Sequence, residues 1–230
     1  MRIAELNWMD VEKYLEKDDR IILILGACEQ HGYLSLQTDT RIPLALADVA
    51  AKKTGVLIAP EVNIGVSPYF LTYPGTISLR TETLLAIVED MVRSLYGVGF
   101  RKMLVLNGHM GNQSASNKLV ELANQLPGLQ TAFYSWWMSH SVEEIGRKHG
   151  LLLEHANWME AFPFNRVAEL PDGEKVPVHV IGLLNAEETR IKYGDGVFGG
   201  NYYAKPNVMD ELFNACVMDV LDLLDRSWRP

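Results

Sequence analysis

Two short polar segments of this chain carry side chains that could bind metal ions, and each follows an apolar run. Glu29 and His31 come after the apolar residues 21–25, and Asp39 lies a short loop further on. His109 follows a second apolar run, in a turn that contains glycines. Residues two apart on an extended chain point the same way, so Glu29 and His31 could reach one site. Carboxylate and imidazole groups together predict a site for divalent cations.

A third segment offers further ligands. The apolar residues 151–153 precede Glu154 and His155, and Glu160 follows. A helix that begins near residue 156 would place Glu160 about a turn and a half beyond His155, so both could face one pocket. Simpler interpretations stay open. The first pair could be a hydrogen-bonded structural pair, the second segment a polar turn capped by asparagine, and the third a helix start with acidic residues that favour the helix dipole.

Together the three segments supply nitrogen and oxygen ligands for more than one ion. Asp39 suits the centre of such a cluster, because its two carboxylate oxygens could bridge two cations. The chain has two cysteines, Cys28 and Cys216, so it has no thiolate cluster that would select a soft metal. Cys28 should point away from Glu29 into the core. We predict a site for two divalent ions, Zn, Mn or Fe, with the ligands Glu29, His31, Asp39, His109 and Glu160.

The elements that must position these residues follow an alternating pattern of strands and helices. This alternation predicts a layered α/β/α sandwich with a mainly parallel central sheet, whose strands are joined by right-handed helical crossovers. Sites in such sheets gather at the carboxyl ends of the strands. Residues 165–208, rich in glycine and proline, predict irregular structure or edge strands. The predicted strands are 21–25, 56–60, 102–106 and 130–136, and the predicted helices are 42–53, 81–98, 113–126, 141–149 and 209–228.

Composition sets the broad class. The chain has 230 residues, of which 48% are hydrophobic and 22% charged, which is typical of a soluble globular protein. A formal charge of -8 argues against nucleic acid or an anionic membrane as the main partner. We expect one domain over residues 1–230, no membrane span and, without a signal-peptide pattern at the start, a cytoplasmic location.

Four motifs, in order along the chain, resemble the signatures of the creatininase (creatinine amidohydrolase) family. They are EQHG at 29–32 with TD at 38–39, PGT at 74–76, NGHMGN at 107–112 and HANWME at 155–160. Their order and wide spacing make the resemblance specific, and it spans most of the chain. It implies a metal-dependent amidohydrolase that cleaves an amide C–N bond of a small, cyclic molecule. It also implies a homo-oligomer, often a hexamer in this family.

The resemblance also implies roles for individual residues. One ion would be held by Glu29, Asp39 and His109, and the other by His31, Asp39 and Glu160. A hydroxide between the ions would attack a carbonyl group. His155 would then act as a proton shuttle to the leaving nitrogen, with Glu154 orienting it.

The chain departs from the family pattern beside the metal ligands. Met110 and Gly111 stand where members acting on creatinine carry an aromatic residue and a metal-ligating Glu. The resemblance therefore gives that ligand role to Glu160 and makes creatinine a less expected substrate. We predict that Ser67, Met110 and Trp136 bind substrate, and further candidates for the pocket wall are Tyr69, Tyr73 and Trp158. His140, His149 and His179 are predicted to be surface or structural residues.

Two alternatives to an amidohydrolase remain. A member of the same family could open a cyclic ketone by cleaving a C–C bond in carbohydrate breakdown, because attack on a carbonyl does not fix the leaving atom. A non-catalytic α/β module could instead bind a small ligand, with the His and Glu residues in structural roles. Such a module predicts no stoichiometric metal.

Overall fold

The central sheet of the computed structural model, which describes residues 1–228, has four strands that all run parallel. Aliphatic runs, largely β-branched in β1, favour strands that are buried on both faces. The strand order is β2-β1-β3-β4, which confirms the predicted parallel α/β sheet. The strands are β1 (Arg20–Leu25), β2 (Leu57–Ile58), β3 (Lys102–Asn107) and β4 (Gln130–Ser135).

Residues 1–228 also form seven α-helices. Beside them, a small antiparallel sheet pairs β5 (Glu174–Lys175) with β6 (Gly200–Asn201). None of the helices in the described residues combines the length and apolar character that crossing a bilayer requires. The helices are α1 (Trp8–Leu15), α2 (Thr38–Thr54), α3 (Thr81–Val98), α4 (Ala115–Gln125), α5 (His140–His149), α6 (Ala186–Tyr193) and α7 (Pro206–Arg226).

The helices form layers on the two faces of the sheet. Ile22 and Ile24 of β1 face one apolar cluster with α2, α5 and α7. Ile21 and Leu23 face the opposite cluster with α3 and α4. Successive side chains of a strand alternate between faces, so one continuous apolar run supplies both cores. This arrangement is the predicted α/β/α sandwich.

Two helices and one side chain differ from the sequence prediction. Helix α2 begins at Thr38 rather than at residue 42, so Asp39 lies in its first turn, where a carboxylate favours the helix dipole. Helix α6 lies in the segment predicted to be irregular, although a capping box of Asn185 and Glu188 marks its start. Its apolar residues do not lie on one face, so the sequence lacks the apolar repeat that would have predicted this helix. Cys28 is half-buried rather than in the core, and its Sγ donates to the Gly75 carbonyl.

Candidate metal centre and substrate cavity

The site begins where β1 and β3 end side by side. Leu25 is paired with Asn107 in the register of the sheet, so the segments that carry Glu29 and His109 leave the sheet at the same edge. The backbone of Gly108 lies directly against that of Asp39. A Cβ added at Gly108 would overlap the backbone oxygen of Asp39, so a glycine is required for this approach. The NGH turn therefore places His109 beside α2.

The first cluster of possible ligands is formed by Glu29, Asp39 and His109. His109 Nδ1 lies 2.8 Å from Asp39 Oδ2, and His109 Nε2 lies 3.6 Å from Glu29 Oε2. The Val66 carbonyl lies 2.9 Å from His109 Nε2 and accepts its proton. A neutral His109 ring therefore turns the Nδ1 lone pair toward Asp39.

The second cluster consists of His31, Asp39 and Glu160. His31 Nε2 lies 2.9 Å from Asp39 Oδ1 and 3.8 Å from Glu160 Oε1. The backbone carbonyl of Glu29 accepts a hydrogen bond from His31 Nδ1 at 3.0 Å, which leaves the Nε2 lone pair of a neutral ring facing the carboxylates. Asp39 thus presents one oxygen to each imidazole.

The segment that carries Glu160 has a backbone conformation different from the predicted helix. A short 3-10 turn, Trp158–Glu160, replaces that helix, and Ala156 before it adopts a left-handed φ of 61°. This conformation is uncommon for a residue with a Cβ and marks local strain. It lets the Ala156 N–H donate to Glu160 Oε2 at 2.6 Å, which fixes the carboxylate beside His31.

The electrostatics of these buried groups fit divalent cations. Burial raises the pKa of Glu29 and of Glu160 to about 7. Burial would lower the pKa of His31, but the charges of Asp39 and Glu160 outweigh it and raise that pKa to about 10. Asp39 Oδ2 lies 2.8 Å from His109 Nδ1, and although burial would lower the pKa of His109, the charges of Glu29 and Asp39 outweigh it and raise that pKa to about 9. Two buried acceptors at this distance require a shared proton or a cation between them.

His155 lies beside the two clusters rather than within them. Its Nδ1 is 3.9 Å from Glu29 Oε1, and its ring stacks on Phe70 with centroids 4.9 Å apart. The rings of Phe198 and His31 complete its surroundings. Burial, followed by the charge of His31, lowers the pKa of His155 well below its ordinary value. The imidazole is therefore neutral near pH 7.

Gln30 orients the His155 ring, a role that was not predicted from the sequence. Gln30 Nε2 donates to the Gly196 carbonyl at 3.1 Å, and Oε1 accepts from the Gly32 N–H at 3.1 Å, so both ends of the amide are fixed. The same Nε2 lies 3.0 Å from His155 Nε2, which must therefore be the acceptor. The proton of His155 then lies on Nδ1, toward Glu29.

This geometry corrects the role predicted for Glu154. Within residues 1–228, no hydrogen bond joins Glu154 to His155, and the amide of Gln30 occupies the ring nitrogen that an orienting carboxylate would need. Glu154 instead lines the cavity in front of the clusters. The position of Gln30 between two predicted ligands was the sequence signal that could have identified it.

A cavity of about 630 Å³ opens onto the clusters. Ser67, Met110 and Tyr69 line it, and the binding of substrate by Ser67 and Met110 stays a prediction. Trp136 does not line the cavity. It is 1% exposed and packs in the core, where its ring lies 6.3 Å from that of Phe162.

The neighbouring Trp137 lines the cavity instead, so the predicted tryptophan is corrected by one position. The reason is that β4 ends at Ser135 and a 3-10 turn, Trp136–Met138, follows, which directs the two indoles apart. Tyr73 and Trp158, the other aromatic candidates, are buried away from the cavity lining.

The chain is a parallel α/β sandwich in which one carboxylate, that of Asp39, is shared by two His-carboxylate clusters. This combination is typical of a domain that could bind metal ions. A family model described as creatinine amidohydrolase matches residues 4–224. The chain belongs to the creatininase family.

Several named proteins are similar in sequence to parts of this chain. Creatinine amidohydrolase of Pseudomonas putida is 30% identical over 128 residues, which are 53% of this chain and 49% of that protein. Mycofactocin precursor peptide peptidase of Mycobacterium tuberculosis is 35% identical over 131 residues, 52% of each chain. The 3-dehydro-scyllo-inosose hydrolase of Thermotoga maritima is 31% identical over 106 residues, 45% of this chain and 34% of that protein. The chain thus matches about half or less of the length of these relatives.

Solved structures share the whole fold. A creatininase structure superimposes with a TM-score of 0.84 at 22% identity, covering 100% of this chain and 98% of that chain. A putative creatinine amidohydrolase from Bacteroides fragilis gives 0.76 at 27% identity, covering 99% and 96%. A creatininase Mn structure superimposes with a TM-score of 0.82 at 22% identity, covering 100% and 99%.

Proposed function

We propose that this protein is a hydrolase that uses two divalent metal ions, Zn, Mn or Fe, to cleave an amide C–N bond of a small molecule. The observation that carries this proposal is Asp39, which presents one carboxylate oxygen to His31 and the other to His109. The names of two relatives, an amidohydrolase and a peptidase, support an amide as the bond cleaved.

The ligand sets that we propose follow the two clusters. Glu29, Asp39 and His109 hold one ion, and His31, Asp39 and Glu160 hold the other, with Asp39 shared. Bound there, two divalent ions supply activation of a water molecule near neutral pH and polarisation of a carbonyl oxygen. Burial of the ligands keeps bulk water from competing for these positions.

His155 is proposed to be the proton shuttle. The neutral ring, whose Nδ1 side faces Glu29, would take up a proton of the attacking water and then give it to the leaving nitrogen, which returns the ring to its neutral form. The Gln30 amide lies 3.0 Å from Nε2 and fixes the orientation of the ring, so that its Nδ1 side faces Glu29. Phe70, which stacks on one face of the ring, and the tilted ring of Phe198 limit access of other water molecules.

An assay of metal-loaded protein against four substrate groups tests this function. Lactams, formamides and short peptides offer C–N bonds, whereas cyclic diketones offer a C–C bond. We expect turnover in one of the first three groups. Turnover of cyclic diketones alone would reject the amidohydrolase proposal in favour of the second candidate, C–C cleavage of a cyclic ketone, which the relationship to the inosose hydrolase favours.

Replacing Gln30 with leucine should lower kcat by roughly ten- to a hundred-fold, because it removes the donor that fixes the His155 ring. Metal content should stay unchanged, since Gln30 offers no ligand to either cluster. Stopped assays together with metal analysis of the purified variant check both points. An unchanged kcat, or loss of metal in parallel with activity, would show that Gln30 does not act through His155.

The expected homo-oligomer, often a hexamer in this family, stays a prediction, as do the cytoplasmic location and the single domain over residues 1–230. The small-molecule partner belongs to the proposed function.

A further inference from the structure

The cavity in front of the clusters is far larger than a reacting amide group alone requires. It measures about 630 Å³, within the range of pockets that enclose whole ligands. Beyond the proposed metal ligands, its wall is mainly apolar, with Phe70, Met110, Trp137, Leu153 and Leu183 among the lining residues. A substrate that fills it must therefore carry an apolar body next to its reacting bond.

The charged groups of the cavity wall have one sign. Within the described residues, no Lys or Arg lines the cavity, so no side chain there is suited to pair with a carboxylate or phosphate of a substrate. Apart from the proposed metal ligands, the acidic residue in the lining is Glu154. Apart from the metal positions, the wall therefore offers no cation to an anionic substrate and a single carboxylate to a cationic one.

Glu154 has no hydrogen-bond or ion-pair partner in residues 1–228. Burial raises the pKa of this carboxyl, and the exposed His179 is the neighbouring group that opposes the shift. Tyr193 also lines the cavity, and burial, followed by the charge of Glu154, raises the pKa of its phenol. A partly buried carboxylate without a partner is costly in the free protein, and a donor brought by a ligand would offset that cost.

We propose that Glu154 determines specificity by binding a protonated amine on the substrate. The substrate class is then an amide whose apolar body carries an ammonium group. This inference rests on the proposed function for the reaction, but the binding of the amine does not depend on hydrolysis.

Phenethylamine and 2-phenylethanol form a matched pair of probes. They share an apolar body and differ in the polar group, and the amine is protonated at pH 7 because its pKa is near the lysine value of about 10.4. Calorimetric titration of the manganese-loaded protein should show about ten-fold tighter binding of the amine. In Glu154→Gln, the two probes should bind equally. The control is Glu143→Gln, which makes the same change at an exposed position of α5, outside the cavity lining.

Three results would overturn the inference. They are equal binding of both probes by the unmodified protein, an unchanged preference in Glu154→Gln, and an equal loss of affinity for both probes in that variant, which would indicate a structural role. A protein that prefers the amine through Glu154 yet hydrolyses no amide would keep this inference and reject the proposed reaction. The two failures are therefore distinguishable.

Discussion

Replacing His155 with glutamine is expected to lower kcat by about 10²- to 10⁴-fold, the range for loss of a general acid or base. Glutamine retains polar atoms near the cluster but cannot accept and release a proton near neutral pH. The ring it replaces packs against Phe70 and Phe198, with Nδ1 directed toward Glu29. Initial-rate measurements on the best substrate of the four-group assay give kcat directly.

The metal content of this variant decides between two roles. His155 also lies close enough to Glu29 and His31 to be a possible ligand. A proton shuttle predicts that the variant keeps both ions, whereas a ligand predicts that it loses one. His140→Gln is the control, because His140 lies on α5 and pairs with Glu144 at the surface. A variant of His155 with nearly full kcat would contradict the proposed mechanism.

Replacing Asp39 with asparagine should weaken binding at both metal positions by more than about 100-fold and abolish activity. Asparagine removes the negative charge and turns one of the two oxygens into an N–H donor, so it cannot serve both His31 and His109. Metal titration followed by chelator competition measures both sites. The specific expectation is that affinity falls at both metal sites together. A change in Glu160 alone should instead lower the affinity of one site more than that of the other.

A matched control lies on the same helix. Asp48 of α2 forms a part-exposed ion pair with Arg2 and belongs to neither cluster. Asp48→Asn should keep both ions and lose no more than about 1 kcal/mol of unfolding free energy, the usual worth of a surface pair. If Asp39→Asn still bound one ion with normal affinity, the shared carboxylate would be rejected.

The central sheet, and the fact that the proposed ligands lie close together, could be predicted from sequence. The aliphatic runs of β1 and β3 fix two buried parallel strands, and polar residues after such strands meet at one edge. That principle is enough to bring Glu29 near His109. This pattern does not depend on details of side-chain packing, and it can therefore be recognised in a single sequence.

Local backbone geometry could not be predicted in the same way. Glu160 reaches His31 through the left-handed conformation of Ala156, which a pattern of apolar and acidic residues does not indicate. The exchange of Trp136 for Trp137 has a similar origin, because a strand that ends one residue earlier redirects the next side chain. Gln30 was missed because its role depends on Gly196, a residue distant in sequence.

Metal analysis of the protein, purified without chelator, tests the central claim most directly. Mass-spectrometric measurement of metals per chain should find two divalent ions, and Asp39→Asn purified in parallel should contain neither. A chain that carries no stoichiometric metal, and that takes up none from Zn, Mn or Fe solutions, would contradict the two-metal hydrolase and favour a ligand-binding module.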